Sequence, residues 1–148
     1  METNIINEIE LKYIPCNREI HSIINSPLKT YETLMHLWNP DTIGIIEEVK
    51  VLYLNRGNQL IGVYNHSKGG ISGSVIDVRL IVGMALKCAA SGIILAHNHP
   101  SGNLKPSIHD EDMTRKIKNC CELFEIVLLD HFIITLNGYY SFVEKGKI

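Results

Sequence analysis

Long apolar runs are missing from this chain: none reaches the roughly 20 residues that a bilayer-spanning helix needs. Its opening, METNIINEIELKYIP, scatters acids among apolar residues, so the cationic start and apolar centre of a secretory leader are not expected. Positive charge is scarce as well. Lys and Arg number 14 against 16 Asp and Glu, for a net charge of −2, and no overall field favours DNA, RNA or an anionic membrane. Only four cysteines occur, Cys16, Cys88, Cys120 and Cys121. They make neither a Cys-x-x-Cys pair nor a disulfide framework, so the expected compartment is the reducing cytoplasm, with Cys88, Cys120 and Cys121 as packing residues. Gly69, Gly70 and Gly73 lack the Lys-Ser/Thr that completes a nucleotide phosphate loop and read as a flexible connection.

What is present suits one globular domain: 148 residues, 45% hydrophobic and 20% charged. EIELKYIP alternates apolar and polar residues as a short strand does. Ser26-Pro27 is a helix start, followed by Leu28, Tyr31, Leu34, Met35 and Trp38 at helical spacing and closed by Asn39-Pro40. KVLYLN and QLIGVYN, separated by Arg-Gly-Asn, predict a hairpin. Val78, Ile81, Val82, Ala85, Leu86 and Ala89 trace a second helical face, with Asp77 as N-cap and Ser91-Gly92 as stop. IILA is a short buried strand, and Met113, Ile117, Cys120 and Phe124 mark a third helix. EIVLLDHFIIT and YYSFVE, joined by Asn137-Gly138, predict a closing hairpin. The order is that of a mixed α/β domain with strands covered by two or three helices.

Chemistry concentrates in LAHNHPSGNLKPSIHDED, residues 95–112. In an extended segment residues i and i+2 face the same side, so His97 and His99 can reach one ion while Asn98 projects away. Prolines and a glycine turn the chain, and Ser107-Ile108-His109-Asp110 begins the next helix, bringing Asp110 back toward the strand end. Taken alone, Ser-x-x-Asp is a capping box at a helix start. Two histidines with a carboxylate are also a common ligand set for catalytic zinc, leaving a fourth position for water; iron and manganese stay open as alternatives. His109 is expected to be exposed, and His21, His36 and His66 carry no spacing signal. Asp130-His131, inside an apolar strand, reads first as a hydrogen-bonded structural pair and second as a group orienting a ligand. The spacing of HNH nucleases and the His-x-Glu with Pro-Cys-x-x-Cys of zinc deaminases are both lacking.

His97-Asn98-His99, seven intervening residues, Ser107, two residues and Asp110 match the JAMM signature of MPN-domain (JAB) metalloproteases. KVLYLN, SGIILAHNHPSGNLKPS, LLDHFIIT and YYSF resemble the RadC-like branch of that family over residues 26–148, leaving residues 1–25 as an N-terminal extension. The resemblance implies an MPN/JAB-like (cytidine-deaminase-like) fold: a curved mixed β-sheet flanked by helices, with zinc at its edge. It implies His97, His99 and Asp110 as zinc ligands and Ser107 as the group that polarises the attacked carbonyl. It also implies an upstream glutamate that hydrogen-bonds the water. The RadC-like pattern sets that acid eight residues before the Asn or Asp ending the strand; counting back from Asn55 gives Glu47. Glu48 adjoins it, and because successive strand residues face opposite sides only one of the two can readily point at the metal.

On this resemblance the chain is a zinc-dependent hydrolase whose partner is a peptide or isopeptide-linked protein. Two other readings accompany it: a non-catalytic RadC-like accessory protein in DNA repair or recombination, and a zinc-stabilised interaction scaffold. The residues ahead of Val51 show no hairpin glycines and no basic cluster, so autonomous DNA binding is not expected. The exposed hairpins are compatible with a homodimer.

Overall fold

Ser26 and Pro27 begin the first helix through their own chemistry. The Ser26 side chain accepts the Lys29 N–H at 3.2 Å, and Pro27 stands where a missing N–H forfeits nothing. The computed structural model describes residues 23–69 and 75–148. In it α1 spans Pro27–Leu37, followed by β1 (Glu48–Leu54), β2 (Leu60–Lys68), α2 (Val78–Lys87), β3 (Gly92–Asn98), α3 (Ile108–Glu122), β4 (Val127–Thr135) and β5 (Gly138–Ser141). The strand expected in EIELKYIP, with Cys16, His21, Gly70 and Gly73, lies outside the described residues.

The strands form one sheet in the order β2-β1-β3-β4-β5. Only β3 and β4 run parallel; the other neighbours are antiparallel. The parallel pair requires a crossover, and α3 supplies it. The mixed α/β class is as expected, with three helices and both predicted hairpins in place.

Alternation along the strands divides the core in two. Val49, Val51, Tyr53, Ile93 and Leu95 face α2 and α3, where they pack with Ile81, Val82, Ala85, Ile117 and Cys121. Leu52, Leu54, Ile94, Ala96, Phe132 and Ile134 face the other way, onto Leu34 and Trp38. Fully burying a residue of this kind contributes roughly 1.5–3 kcal/mol. β1 and β3 are buried on both faces along their whole length, which is why they read as unbroken apolar runs. Cys121 is part of this core, with Cys88 and Cys120 packed against it; burial raises the Cys121 thiol to about 11.

The helix ends differ from expectation. α2 stops at Lys87 rather than at Ser91-Gly92, because Ala89 takes a left-handed backbone with φ 53°. α3 stops at Glu122, and Phe124 is exposed, as are Leu28 and Leu86 at the edges of their predicted faces.

One irregularity has consequences for the site. The β3–β4 register slips between Ile93/Ile94, which stand opposite Leu128 and Asp130 and leave Leu129 as an extra residue. A Cβ on Gly92 would come within 2.6 Å of the Leu129 side chain, so the glycine makes room for the bulge. Past it, His131 pairs with Leu95, on the face that carries His97. Without the extra residue His131 would stand opposite Ala96, on the α1 side.

Candidate metal centre

The end of β3 delivers two imidazoles to one point. His97 is 2% exposed, and its Nε2 lies 3.0 Å from Nε2 of His99. Asp110, on the first turn of α3, brings its carboxylate oxygens to 3.3 Å from His97 Nε2 and 3.6 Å from His99 Nε2. The ligand-type atoms of these three residues lie within 4.8 Å of one another. Among the described residues this is the group of His, Cys, Asp and Glu side chains able to hold a metal ion.

The helix cap aims the acid. Ser107 Oγ accepts the Asp110 N–H at 3.1 Å, and Asp110 Oδ2 accepts the Ser107 N–H at 2.7 Å. Both amides would otherwise be unpartnered at a helix start. The capping reading and the ligand reading therefore describe one arrangement. Ser107 is exposed beside it, and His109 faces solvent as expected.

The outer nitrogens are engaged. His99 Nδ1 is 2.6 Å from the carbonyl oxygen of Asn103; a carbonyl only accepts, so Nδ1 carries a proton and Nε2 is the nitrogen turned to Asp110. His97 Nδ1 is 2.8 Å from His131 Nε2, and His131 Nδ1 is 2.6 Å from Thr114 Oγ1. Phe142 stacks on the His131 ring at 4.6 Å. The predicted Asp130–His131 pair divides its labour. Asp130 accepts the backbone N–H groups of His131 and Val143 and the Ser141 hydroxyl, tying β4 to the chain beyond β5, while the His131 ring turns to His97.

The electrostatics suit a cation. Burial works to raise the Asp110 carboxyl, yet hydrogen bonds from His97 and His99, the charge of His97 and the Ser107 amide outweigh it and hold it well below the ordinary carboxylate range. The hydrogen bond to Asp110 is the main cause raising His99, opposed by burial and helped by the Asn103 carbonyl and by the charges of Asp110 and Glu47. Complete burial pushes His131 well below its ordinary value, so it stays neutral. Two imidazole nitrogens and an ionised carboxylate, the outer nitrogens held by hydrogen bonds, fit the donor set of zinc.

Strand parity separates the two glutamates. Glu48 opens β1 on the parity of Lys50, toward Trp38. Its carboxylate is 3.0 Å from Lys50 Nζ and 3.6 Å from Lys68 Nζ. Lys50 in turn lies over the Trp38 ring and donates to Asn65. Glu47, the residue before the strand, has the parity of Val49, which pairs with His97. It is half-buried, and its charge is felt at His99.

Two contributors were not foreseen. Thr114 lies one helical turn after Asp110, and that i+4 spacing is the signal that could have found it. Asn98 does project away from His97 and His99, but into a built site. Its Oδ1 accepts from Trp38 Nε1 at 3.0 Å and from the Glu48 N–H at 2.7 Å. Its Nδ2 donates to the Ile43 and Ile46 carbonyls at 2.7 and 2.8 Å. The segment carrying Glu47 is thereby bound to the strand carrying both histidines. His36 is exposed, and His66 Nε2 accepts the Asp77 N–H, so neither joins the cluster.

Comparison with known proteins agrees with this architecture. The family model described as the RadC-like JAB domain matches residues 24–147. A UPF0758 protein of Flavobacterium johnsoniae is 50% identical over 100 residues, covering 68% of this chain and 44% of the relative. A UPF0758 protein of Porphyromonas gingivalis is 45% identical over 103 residues, covering 69% and 45%. One of Streptococcus suis is 41% identical over 102 residues, covering 69% and 42%. The chain thus spans under half the length of these relatives, whose names state no activity. Among the described residues no helix is long and apolar enough to cross a membrane. Since the match runs from just before α1 to beyond β5, taking in the strand of the histidines and the helix of the aspartate, the chain belongs to the RadC-like JAB domain family.

Proposed function

We propose that this domain is a zinc-dependent hydrolase of peptide or isopeptide bonds, with His97, His99 and Asp110 as ligands, Glu47 as general base and Ser107 at the developing oxyanion. The observation that carries the reading is the meeting of three metal-type donor groups within 4.8 Å where a buried strand reaches the surface. Zinc in that position supplies a Lewis acid and brings the pKa of a water toward neutrality.

The side chains of the domain would do the rest. Glu47, on the His97 side of the sheet edge, takes a proton from the attacking water and delivers it to the leaving amine. Glu48 is unsuited to that work because Lys50 and Lys68 occupy its carboxylate. Ser107 Oγ accepts the Asp110 amide, which leaves its hydroxyl proton free to be given to the carbonyl oxygen as negative charge develops there. Ser101, Gly102 and Asn103 are exposed next to His99, so an extended substrate has room to approach.

The test is hydrolysis by zinc-loaded protein of a panel of peptides and isopeptide-linked conjugates. Glu47→Gln is expected to lower the rate about 100-fold or more while zinc affinity is kept. Glu48→Gln is expected to leave the rate constant of the folded protein unchanged. Full hydrolysis by Glu47→Gln would move the base elsewhere, and a panel left intact by zinc-loaded wild-type protein would remove the enzyme reading.

A further inference from the structure

Three hydrogen-bonding groups stand in line behind His97, and their donors can be counted from a fixed end. The Asp110 backbone carbonyl is 2.6 Å from Thr114 Oγ1. A carbonyl only accepts, and two oxygens at that distance require a proton between them, so the threonine hydroxyl donates to Asp110. Its single proton is then committed. His131 Nδ1, 2.6 Å from the same oxygen, must be the N–H that donates to it. His131 is fully enclosed, and neither ring nitrogen meets a carboxylate that would hold a second proton, so the ring is neutral with one N–H and its Nε2 is an acceptor. His97 Nδ1, 2.8 Å away, is therefore the donor, and His97 Nε2 is the nitrogen left to face His99 and Asp110.

We infer that Thr114 and His131 are positioning residues that lock His97 in the tautomer whose Nε2 is free to bind metal, with the peptide carbonyl of Asp110 as the origin of the lock. The inference rests on the reading of His97 and Asp110 as metal ligands, and it adds a coupling between them. The acid that ligates through its side chain also fixes, through its own backbone, which nitrogen of the first histidine can ligate. Every member is enclosed: Thr114 is 3% exposed and His131 0%, so no water competes for these bonds. Phe142, stacked on His131, and the Leu129 bulge, which turns His131 to this face, hold the middle of the chain in place.

Replacing Thr114 by valine keeps the shape and removes the acceptor. His131 Nδ1–H then has no partner, and the ring relieves this by moving its proton to Nε2. That proton is donated to His97 Nδ1, which forces the His97 proton onto Nε2, the nitrogen facing the metal position. Thr114→Ser keeps the hydroxyl and the original order.

The experiment is nitrogen-15 NMR of the metal-free protein at about pH 8, above the ordinary imidazole range, reading the His97 and His131 tautomers from ring correlations. Wild-type protein and Thr114→Ser are expected to show Nδ1–H on both rings, and Thr114→Val to show Nε2–H on both. In parallel, zinc affinity by chelator competition is expected to fall about 10–100-fold in Thr114→Val and to be restored in Thr114→Ser. A wild-type His97 with no proton on Nδ1 overturns the inference without any variant having to fold. So does a Thr114→Val protein whose tautomers and affinity match wild type. Wild-type protein with the expected tautomers but no zinc affinity would instead overturn the metal reading and leave the lock standing.

Discussion

The side-chain oxygen of Asn98 accepts the backbone N–H of Glu48 at 2.7 Å, joining the strand of the two histidines to the segment that carries Glu47. With Trp38 Nε1 and the carbonyls of Ile43 and Ile46, this uses both lone pairs and both N–H groups of one amide at 0% exposure. Asn98→Ala would strand two donors and two acceptors in an enclosed site. At roughly 1–3 kcal/mol for each buried group left unpaired, with some relaxation, the loss is expected to reach about 3 kcal/mol or more. Urea denaturation measures it; a change under about 1 kcal/mol would mean that water or the backbone replaces the clamp.

Gly92 and Leu129 make a second, smaller prediction. A methyl group at residue 92 collides with the Leu129 side chain, so Gly92→Ala must displace the bulge that turns His131 toward His97. The expected cost is about 1–3 kcal/mol, the range for overpacking a tight site. A melt unchanged from wild type would show that Leu129 yields freely.

These two relationships mark where reading the sequence stops. The meeting of His97, His99 and Asp110 was legible because its geometry is local: i and i+2 on a strand share a side, and an acid three residues after a cap returns to the helix start. The hairpins and helices were legible from periodicity, although a left-handed Ala89 ended α2 early, where the pattern alone ran on to Ser91-Gly92. Counting back from Asn55 pointed to Glu47 rather than Glu48, and the pairing of Val49 with His97 adds that Glu47 shares the parity of that side. His131 was ambiguous for a physical reason. Its facing depends on one extra residue in a non-local parallel pairing, which periodicity within β4 does not reveal. Asn98, read simply as pointing away, gave no hint that the loop of residues 43–46 folds under it.

The pH dependence of the metal-free protein follows from two opposite shifts. His99 is raised above its ordinary 6.5 by its bond to Asp110, so its protonation contributes stability that is complete below about that pH and is lost as the pH rises through the folded value. Asp110 is lowered, so its ionisation contributes stability above its ordinary 3.8 that is lost as the pH falls through the folded value. Zinc must displace the His99 proton, so its affinity has the reverse slope: it climbs about tenfold per pH unit below the folded His99 value and levels off above it. Chelator competition between about pH 6 and pH 9 checks this; an affinity flat across that window would remove His99 from the ligand set.

The metal centre itself is tested most directly by equilibrium dialysis of purified wild-type protein and Asp110→Asn against zinc. Asparagine keeps an oxygen for the Ser107 N–H and removes only the charge and one ligand oxygen, so the helix start is preserved. One zinc per wild-type chain, with affinity reduced about 100-fold or more in a folded Asp110→Asn, is the predicted result. Wild-type protein that takes up no stoichiometric zinc, or an Asp110→Asn protein that binds it equally well, would contradict it.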